Sequence, residues 1–271
     1  MHYDPIKQTL GRILFKSLPT HKLFYFLLDF ILLRTWHIHK VLRKFTSNNA
    51  STMPIRVLDA GSGLGQYSFY LAKKHSNWRI TGVDIKSEEI SACKSFFDKC
   101  GYTNVEFIEA NLTKFKKQNG YDLILSVDVM EHIEDDQTVF YNFYESLAQD
   151  GFLVINTPSD KGGSDVSHQK QKSFIEEHVR NGYGIEEIES KLKKAGFKQV
   201  KSQYTYGIPG HISWMLSMKY PLLCLGVSKW FFLAIPLYYF LLLPAIIILN
   251  LADLHLHHKS GTGLLVQARK I

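Results

Sequence analysis

The chain has 271 residues, of which 45% are hydrophobic and 21% charged, so it can bury a sizeable core and is not an intrinsically disordered protein. Its net charge is +7, and the first 50 residues hold eight Lys/Arg against two Asp. Three cysteines without paired or metal-type spacing exclude a disulfide framework and indicate reduced thiols.

The N-terminal region predicts amphipathic helices. Residues 10–45 have a helical pattern with a wide apolar arc, and the polar stretch "TSNNAST" then breaks it. The block "LFYFLLDFILL" is too short to span a membrane, so the segment packs in a core or lies in a membrane interface. Interleaved basic and apolar residues favour an anionic membrane surface over nucleic acid, and a solvated basic helix is the alternative. The start of the chain lacks a cleaved signal-peptide pattern, so we expect the protein to stay on the side where it was made.

From residue 55 to residue 206 short apolar runs alternate with helical windows, which predicts a parallel sheet covered on both faces. Strands are expected at about 55–59, 79–84, 104–109, 121–127, 151–157 and 197–206. Helices are expected at about 65–75, 87–100, 135–148 and 184–195. The closing segment "GTGLLVQARKI" reads as a final strand.

The strongest local motif is "RVLDAGSGLGQ". A strand ends at Asp59, a turn with Gly61, Gly63 and Gly65 follows, and a helix begins. Glycines let the backbone approach a ligand, and the helix start offers free N–H groups. A dinucleotide fingerprint requires Gly-x-Gly-x-x-Gly, whereas the third glycine here comes one residue early, which disfavours an NAD-dependent oxidoreductase.

Asp84 ends the second strand in "GVDI", 19 residues past Gly65, where a carboxylate can accept both hydroxyls of a ribose. Each residue also has a simpler structural alternative. Asp59 would cap the glycine turn, Asp84 would cap a helix, and Gly65 would serve only close helix packing.

Together "VLDAGSGLGQ" and "GVDI" resemble the class I S-adenosylmethionine-dependent methyltransferases. Further blocks agree over about residues 55–206: "VEFIEANL", "YDLILSVDVMEHI", "LAQDGFLVINTP" and "EEHVRNGYGIEEIESKLKKAGF". The resemblance implies an α/β fold with a Rossmann-like seven-stranded sheet and helices on both faces. It assigns residues 51–207 and 260–271 to this domain, residues 1–50 to an N-terminal helical extension, and S-adenosyl-L-methionine as cofactor.

The resemblance also implies a cofactor-binding set. Its members are Asp59, Gly61, Ser62, Gly63, Gly65, Asp84, Ile85, Asn111, Leu112, Ser126 and Val127. Asn111 stands where the family carries an acidic residue that reads the adenine amino group. Its amide oxygen can accept that hydrogen bond, and its NH2 can reach a ring nitrogen. Pocket lining alone is the alternative for Ser126 and Val127.

Acceptor chemistry is expected just after the fourth strand. Glu131 and His132 lie there, and the ordinary pKa of a histidine suits His132 for a general base. His178 belongs to a loop predicted to cover the pocket, and a surface or capping role is the alternative for both histidines. Asp128, Glu131 and His132 resemble part of a divalent-metal element found in some methyltransferases. The first acid here is Asp128, whereas that element has Glu at this position. The element also has a later histidine ligand, for which His168 is the only candidate, so no metal is predicted.

The stretch "WFFLAIPLYYFLLLPAIIILNL" has 22 residues without a charge, and as a helix it would extend about 33 Å. In the fold that the resemblance implies, the last two strands form an antiparallel hairpin in the same sheet. The chain must then return to the sheet after this stretch, so one complete crossing is impossible. The insertion, residues 208–259, must cross twice, dip in and return, or lie along the surface. We expect a hydrophobic helical hairpin that is re-entrant or interfacial, and a buried dimer interface or a lid over an apolar pocket is the alternative.

These features predict a methyltransferase on the cytoplasmic side of a membrane, acting on a lipophilic acceptor and contacting anionic lipids. O-methylation of a phenol, quinol or lipid hydroxyl is the first hypothesis, with carbon and nitrogen left open. The alternatives are a non-catalytic membrane scaffold and an NAD-dependent oxidoreductase. No nucleic acid partner is expected, and the oligomeric state stays open.

Overall fold

The structure is a computed structural model that describes residues 17–48, 54–162, 179–228 and 230–271. The predictions for His168, His178 and residues 10–16 therefore lie outside the described residues. The chain divides into two compact units. The first comprises residues 1–48, 159–176 and 204–263, and the second comprises residues 49–158, 177–203 and 264–271.

One seven-stranded sheet organises the fold, in the order β3-β2-β1-β4-β5-β7-β6. The strands are β1 Arg56–Ala60, β2 Arg79–Asp84, β3 Val105–Glu109, β4 Tyr121–Val127, β5 Leu147–Pro158, β6 Gln199–Thr205 and β7 Gly263–Arg269. Strands β1 to β5 pair in parallel, with β1 between β2 and β4. The strand order reverses at β1 and β4, so ligand chemistry is expected at their carboxyl ends. The predicted α/β fold is confirmed.

The helices of the second unit fall where apolar periodicity placed them. They are α3 Gln66–Lys74, α4 Ser87–Cys100, α5 Asp136–Ser146 and α6 Ile185–Ala195, with a 3₁₀ turn at Met130–His132. Left-handed glycines end α4 and α6, Gly101 at φ 75° and Gly196 at φ 115°. The Asp135 side chain accepts from the Thr138 N–H at 3.2 Å and so starts α5.

In the first unit two helices lie within the stretch for which amphipathic helices were predicted. Helix α1 covers Leu18–Ile31 and α2 covers Leu33–Asn48. Leu32 between them is extended, with φ −81° and ψ 114°. Its N–H still donates to the Leu28 carbonyl, and the Thr35 N–H donates to the Leu32 carbonyl. Neither glycine nor proline marks this break, so the sequence pattern did not predict it.

The insertion forms a hairpin of helices, as expected. Its first arm is α7 Ile208–Trp214, a π-helical turn Met215–Lys219 and α8 Tyr220–Val227, and its second arm is α9 Phe231–His255. Two tyrosines of α9 join the arms: the Tyr238 hydroxyl donates to the Leu216 carbonyl at 2.7 Å and the Tyr239 hydroxyl to the Ser217 carbonyl at 2.6 Å. A π turn withdraws carbonyls from the regular α-helical ladder, and the hydroxyls satisfy two of them.

A buried carboxylate holds the base of this hairpin. Asp253 is fully buried in α9 and accepts from the Gly207 and Gly210 N–H groups at 2.8 and 3.1 Å, which caps the start of α7. Its other oxygen lies 2.9 Å from Nε2 of His37 in α2. Burial alone would raise the pKa of Asp253, but the hydrogen bond and charge of His37 and the charge of His258 bring it below its usual range.

Candidate cofactor and acceptor site

The glycine turn after β1 has the backbone that its sequence predicts. Gly61, Gly63 and Gly65 all lie in the left-handed region, at φ 77°, 51° and 80°. The Gly61 and Ser62 N–H groups donate to the Val83 carbonyl at the end of β2, at 2.7 and 2.9 Å. These bonds pull the turn back over the sheet. The turn therefore reverses tightly just before α3 begins.

The three glycines serve different purposes. A Cβ on Gly65 would lie 3.0 Å from the Cys93 Sγ and 3.3 Å from Phe97, so Gly65 permits close packing of α4. A Cβ on Gly63 would meet only the Glu89 Oε2, at 3.3 Å. Gly63 is therefore the position at which the backbone is open to a ligand. Gly65 has a packing role, and its predicted contact with a cofactor stays a prediction.

Asp84 joins the end of β2 to the glycine turn. One carboxylate oxygen accepts from the Gly63 N–H at 2.8 Å, and the other accepts from the Lys86 N–H at 3.0 Å. A carboxylate offers about four acceptor positions, so two remain for the paired hydroxyls of a ribose. The same bonds fix the orientation of the carboxylate before any ligand arrives.

Asp59 is buried at the carboxyl end of β1, with 2% exposure. Its Oδ2 accepts from both the N–H and the hydroxyl of Ser68 in the first turn of α3, at 3.1 and 2.7 Å. Burial raises the pKa of Asp59 to about 6, although the Ser68 hydrogen bonds oppose the shift. Asp59 thus caps α3, and its predicted contact with a cofactor stays a prediction.

The loop after β4 lies against the glycine turn. A Cβ on Gly61 would overlap the side chain of Val129, so these two loops touch at Gly61 and Val129. Asp128, between β4 and Val129, has a left-handed φ of 53°, and its N–H donates to the Asn156 carbonyl at 2.8 Å. Strained backbone of this kind is common at functional sites and here aims the following turn. That turn, Met130–His132, carries two of the three predicted acceptor-side residues, Glu131 and His132.

Glu131 and His132 differ in environment. Glu131 is 1% exposed, and its Oε2 accepts from the Thr157 hydroxyl at 3.0 Å at the end of β5. Its carbonyl accepts from the Val179 N–H at 3.1 Å. His132 is half-buried, with its N–H donating to the Val129 carbonyl at 3.0 Å. The sequence did not point to Thr157, which fixes Glu131 from a strand 26 residues away.

A buried ionic cluster fixes the segment that follows Val179. Asp136, at the start of α5, accepts from Arg180, from Lys191 at 2.7 Å and from the Tyr183 hydroxyl at 2.6 Å. Arg180 also donates to the Ile133 carbonyl at 2.7 Å. Burial and the Asp136 carboxylate raise the pKa of Tyr183, so it stays a donor. Arg180 is therefore a structural anchor of this segment.

Asn111, after β3, is exposed and turns the chain. Its Oδ1 accepts from both the N–H and the hydroxyl of Thr113, each at 2.9 Å. Both acceptor positions of the amide oxygen are thereby used. Within the described residues its Nδ2 has no hydrogen-bond partner. Of its two predicted roles, donation to a ring nitrogen is the one that this orientation leaves open.

Three buried polar atoms near the carboxyl ends of the central strands have no partner among the described residues. They are the Ser62 Oγ after β1, the Ser126 Oγ in β4 and the Asn156 Nδ2 in β5. Buried polar groups are normally satisfied, so such a group of orphans fits a polar ligand. Asn156 was not predicted, although the polar pair in "VINTP" after an apolar run marks it.

The remaining predicted residues differ in exposure. Ile85 is 62% exposed after β2, Leu112 is 6% exposed after β3, and Val127 is half-buried at the end of β4. Their cofactor contacts stay predictions. Across residues 17–48, 54–162, 179–228 and 230–271, no group of three or more His, Cys, Asp or Glu is arranged to hold a metal ion.

This strand order and this glycine turn define a Rossmann-like nucleotide-binding fold. The methyltransferase domain family model matches residues 52–206. The chain therefore belongs to the methyltransferase domain family.

Individual relatives agree with that family. The chain is 31% identical to the probable (S)-tetrahydroprotoberberine N-methyltransferase 2 of Papaver bracteatum, over 37% of this chain and 28% of the relative. It is 30% identical to phosphoethanolamine N-methyltransferase 1 of Zea mays, over 54% of this chain and 28% of the relative. These matches span less than a third of the relatives' length.

A solved structure shows the same fold. Phosphoethanolamine N-methyltransferase 2 of Haemonchus contortus, in complex with S-adenosyl-L-methionine, superposes with a TM-score of 0.61 at 19% identity. The superposition covers 86% of this chain and 52% of that one.

Proposed function

We propose that this protein is an S-adenosylmethionine-dependent methyltransferase that methylates a lipophilic acceptor at a membrane surface. The observation that carries the proposal is the contact of the two loops at Gly61 and Val129. It brings the glycine turn of β1 against the loop that presents Glu131 and His132. A cofactor held by the first loop would therefore meet an acceptor held by the second.

The residues at this edge of the sheet fit the proposed cofactor. Asp84 has free acceptor positions for two ribose hydroxyls, and the backbone at Gly63 is open. Asn111 presents an unused amide donor, and the Ser62, Ser126 and Asn156 side chains carry orphaned polar atoms. Asp59 holds the start of α3 directly after the glycine turn, through its hydrogen bond from the Ser68 N–H. Bound there, S-adenosylmethionine supplies an electrophilic methyl group.

For a hydroxyl acceptor we propose His132 as the general base. Transfer of a methyl group from a sulfonium is an in-line displacement, so positioning supplies much of the acceleration. A hydroxyl must also lose its proton, which requires a base with access to the acceptor. His132 is half-buried, whereas the Glu131 carboxylate is buried and bonded to Thr157. We therefore assign Glu131 to positioning the turn and His132 to accepting the proton, with His178 proposed on the acceptor side.

Membrane association is supported by the insertion. Among the described residues one helix, α9, is long and apolar enough to cross a membrane by length and composition. Only 6% of its most apolar window is buried, which argues against a core helix of a soluble protein. The insertion leaves the sheet after β6 and returns at β7, and these strands are neighbours in the sheet. We propose a monotopic hairpin on the cytoplasmic side rather than a single pass.

The first unit also has the charge that an anionic membrane surface would attract. Its described residues contain eight Lys/Arg against three Asp. We propose that residues 1–50 and 208–259 form the membrane-binding part, and that residues 51–207 and 260–271 form the catalytic domain. The acceptor would then reach the active site from the lipid phase.

The test has two arms. S-adenosylhomocysteine binding is measured by calorimetry for the wild type and for Asp84→Asn, with Glu106→Gln as a surface control; the proposal expects binding that only Asp84→Asn weakens. Lipid extracts of cells with and without the gene are then compared for a species that differs by one methyl group. If the protein binds the cofactor and His132→Ala leaves the lipids unchanged, a non-catalytic scaffold is favoured. If the changes are confined to water-soluble metabolites, the proposal of a lipophilic acceptor is wrong.

A further inference from the structure

The exposed side of α9 is one continuous apolar stripe. Six large apolar side chains between residues 233 and 251 are 44–78% exposed: Leu233, Leu237, Phe240, Leu241, Ile248 and Leu251. Because successive residues of an α-helix are rotated by about 100°, these six side chains fall within an arc of about 100° around the helix axis. We call them the α9 stripe. It extends over 19 residues, a rise of about 27 Å along the helix.

In the C-terminal half of α9 the opposite side packs against protein. Ile246, Asn250 and Asp253 on that side are buried, and Tyr238 and Tyr239 reach the first arm from it. The sequence of α9 is apolar all round, and outside the stripe its large exposed apolar side chains are Phe231 and Phe232 at its start, 42% and 61% exposed. From Leu233 to Leu251 the large exposed apolar side chains therefore lie on one side of the helix.

An upright hairpin, with its helices perpendicular to the membrane plane, does not fit the positions of the α9 stripe and of Lys219. If only the tip entered one leaflet, about 15 Å deep, Ile248 and Leu251 would remain exposed to water. If the whole hairpin entered, Lys219 would lie in the hydrocarbon, about halfway along the first arm. A charge at that depth is costly. Lys219 instead lies with its Nζ 5.8 Å from the ring centroid of Trp214, a pairing typical of the membrane interface.

We infer that α9 lies in the plane of an anionic phospholipid bilayer, with the α9 stripe facing the acyl chains. This inference rests on the proposed membrane association and specifies its geometry. In this orientation the whole stripe reaches the acyl boundary at similar depth, as in interfacial helices. Lys219 need not enter the hydrocarbon.

Helix α1 carries a second exposed apolar surface. Leu23, Phe26 and Leu27 are 51%, 60% and 39% exposed, and the exposed Lys22 adjoins them. Apolar residues beside a basic one are typical of helices that bind anionic lipid surfaces. The apolar exposure of the first unit is thus not confined to the hairpin tip, which favours a broad contact.

Depth measurements along the stripe test the orientation. Cys100→Ser and Cys224→Ser remove the accessible thiols and leave Cys93, which is 1% exposed. In this background Leu233→Cys, Phe240→Cys and Ile248→Cys are labelled with a nitroxide in the full chain. His257→Cys, an exposed position after α9, is the solvent control. Accessibility to oxygen and to a nickel chelate gives each depth on vesicles of phosphatidylcholine and phosphatidylglycerol.

The inference expects the three stripe labels at one depth within about 5 Å, and the His257 label in water. An upright hairpin would separate the labels by steps of about 11 Å, which would overturn the inference. If the protein did not bind vesicles and a second copy of the chain shielded the stripe labels, both this inference and the proposed membrane association would be overturned. S-adenosylhomocysteine binding, measured on the same proteins, reports separately on the proposed enzyme.

Discussion

Replacing Asp59 by Asn should stabilise the protein near neutral pH. Asp59 is buried, and its pKa is raised from 3.8 to about 6. The folded state therefore holds this proton more tightly than the unfolded state. The stability from Asp59 is fully present below pH 3.8 and is lost as pH rises through about 6. A shift of about two pKa units corresponds to about 3 kcal/mol, which sets the upper limit of the gain for Asp59→Asn.

An asparagine keeps the existing hydrogen bonds. Both Ser68 donors go to one oxygen, Oδ2, and an amide oxygen can accept both. We expect Asp59→Asn to raise the free energy of unfolding by about 1–3 kcal/mol at pH 7.5 and by little at pH 4. Ser68→Ala is the matched comparison, and it should destabilise by about 1–2 kcal/mol at pH 7.5 because it removes a donor to a charged group.

Urea unfolding of the wild type and both variants at pH 4, 5, 6 and 7.5 measures these differences. The reasoning requires the gain from Asp59→Asn to grow between pH 4 and pH 6 and then to level off. A gain independent of pH, or a loss at every pH, would show that folding does not raise the pKa of the Asp59 carboxyl.

Three further predictions concern the loops, the ionic cluster and the hairpin. Gly63→Ala should cost about 1–2 kcal/mol of stability from its left-handed backbone and also weaken S-adenosylhomocysteine binding in calorimetry. Gly101 also has a left-handed backbone, and a Cβ there would have no atom within 4 Å. Gly101→Ala should therefore lower stability by the same amount and leave the affinity unchanged. Equal affinities of the two variants would contradict the ligand role of Gly63. Asp136→Asn should destabilise by about 3 kcal/mol in urea because Arg180 and Lys191 lose their buried partner. Glu189→Gln, which removes only a 3.9 Å surface pair with Lys193, should cost under about 1 kcal/mol, and similar losses would refute the cluster's importance. Tyr238→Phe with Tyr239→Phe should speed hydrogen exchange across Met215–Lys219, whereas Tyr220→Phe should not; unchanged exchange would mean that the hydroxyls do not hold the arms together.

Local patterns predicted most of the sheet because each carries its own periodic signal. The strands ending at Asp59 and Asp84 and the glycine turn between β1 and α3 lie where spacing placed them. Gly61, Gly63 and Gly65 have the left-handed backbone that a tight turn requires. The different tasks of these glycines were not predictable, since the residues that face them come from α4 and from the loop after β4.

Contacts distant in sequence account for what was missed. Thr157 fixes Glu131 from another strand, and His37 meets Asp253 across 216 positions of the chain. Neither pairing leaves a periodic signal. The extended residue Leu32 also lacks a glycine or proline marker, because tertiary packing sets it. The π turn at Met215–Lys219 comes just before Pro221, whose missing N–H leaves the Ser217 carbonyl without a helical donor. The insertion was predicted as a hairpin by topology, since a chain that returns to the sheet must turn back.

Methyl transfer to lipid tests the central proposal most directly. The purified full chain is incubated with S-adenosylmethionine labelled in its methyl group and with membranes from its own cells, and the products are partitioned between organic and aqueous phases. The proposal predicts label in an organic-phase species, lost with Asp84→Asn and strongly reduced with His132→Ala. Label that appears only in water-soluble products, or no transfer by a protein that binds S-adenosylhomocysteine, would contradict it.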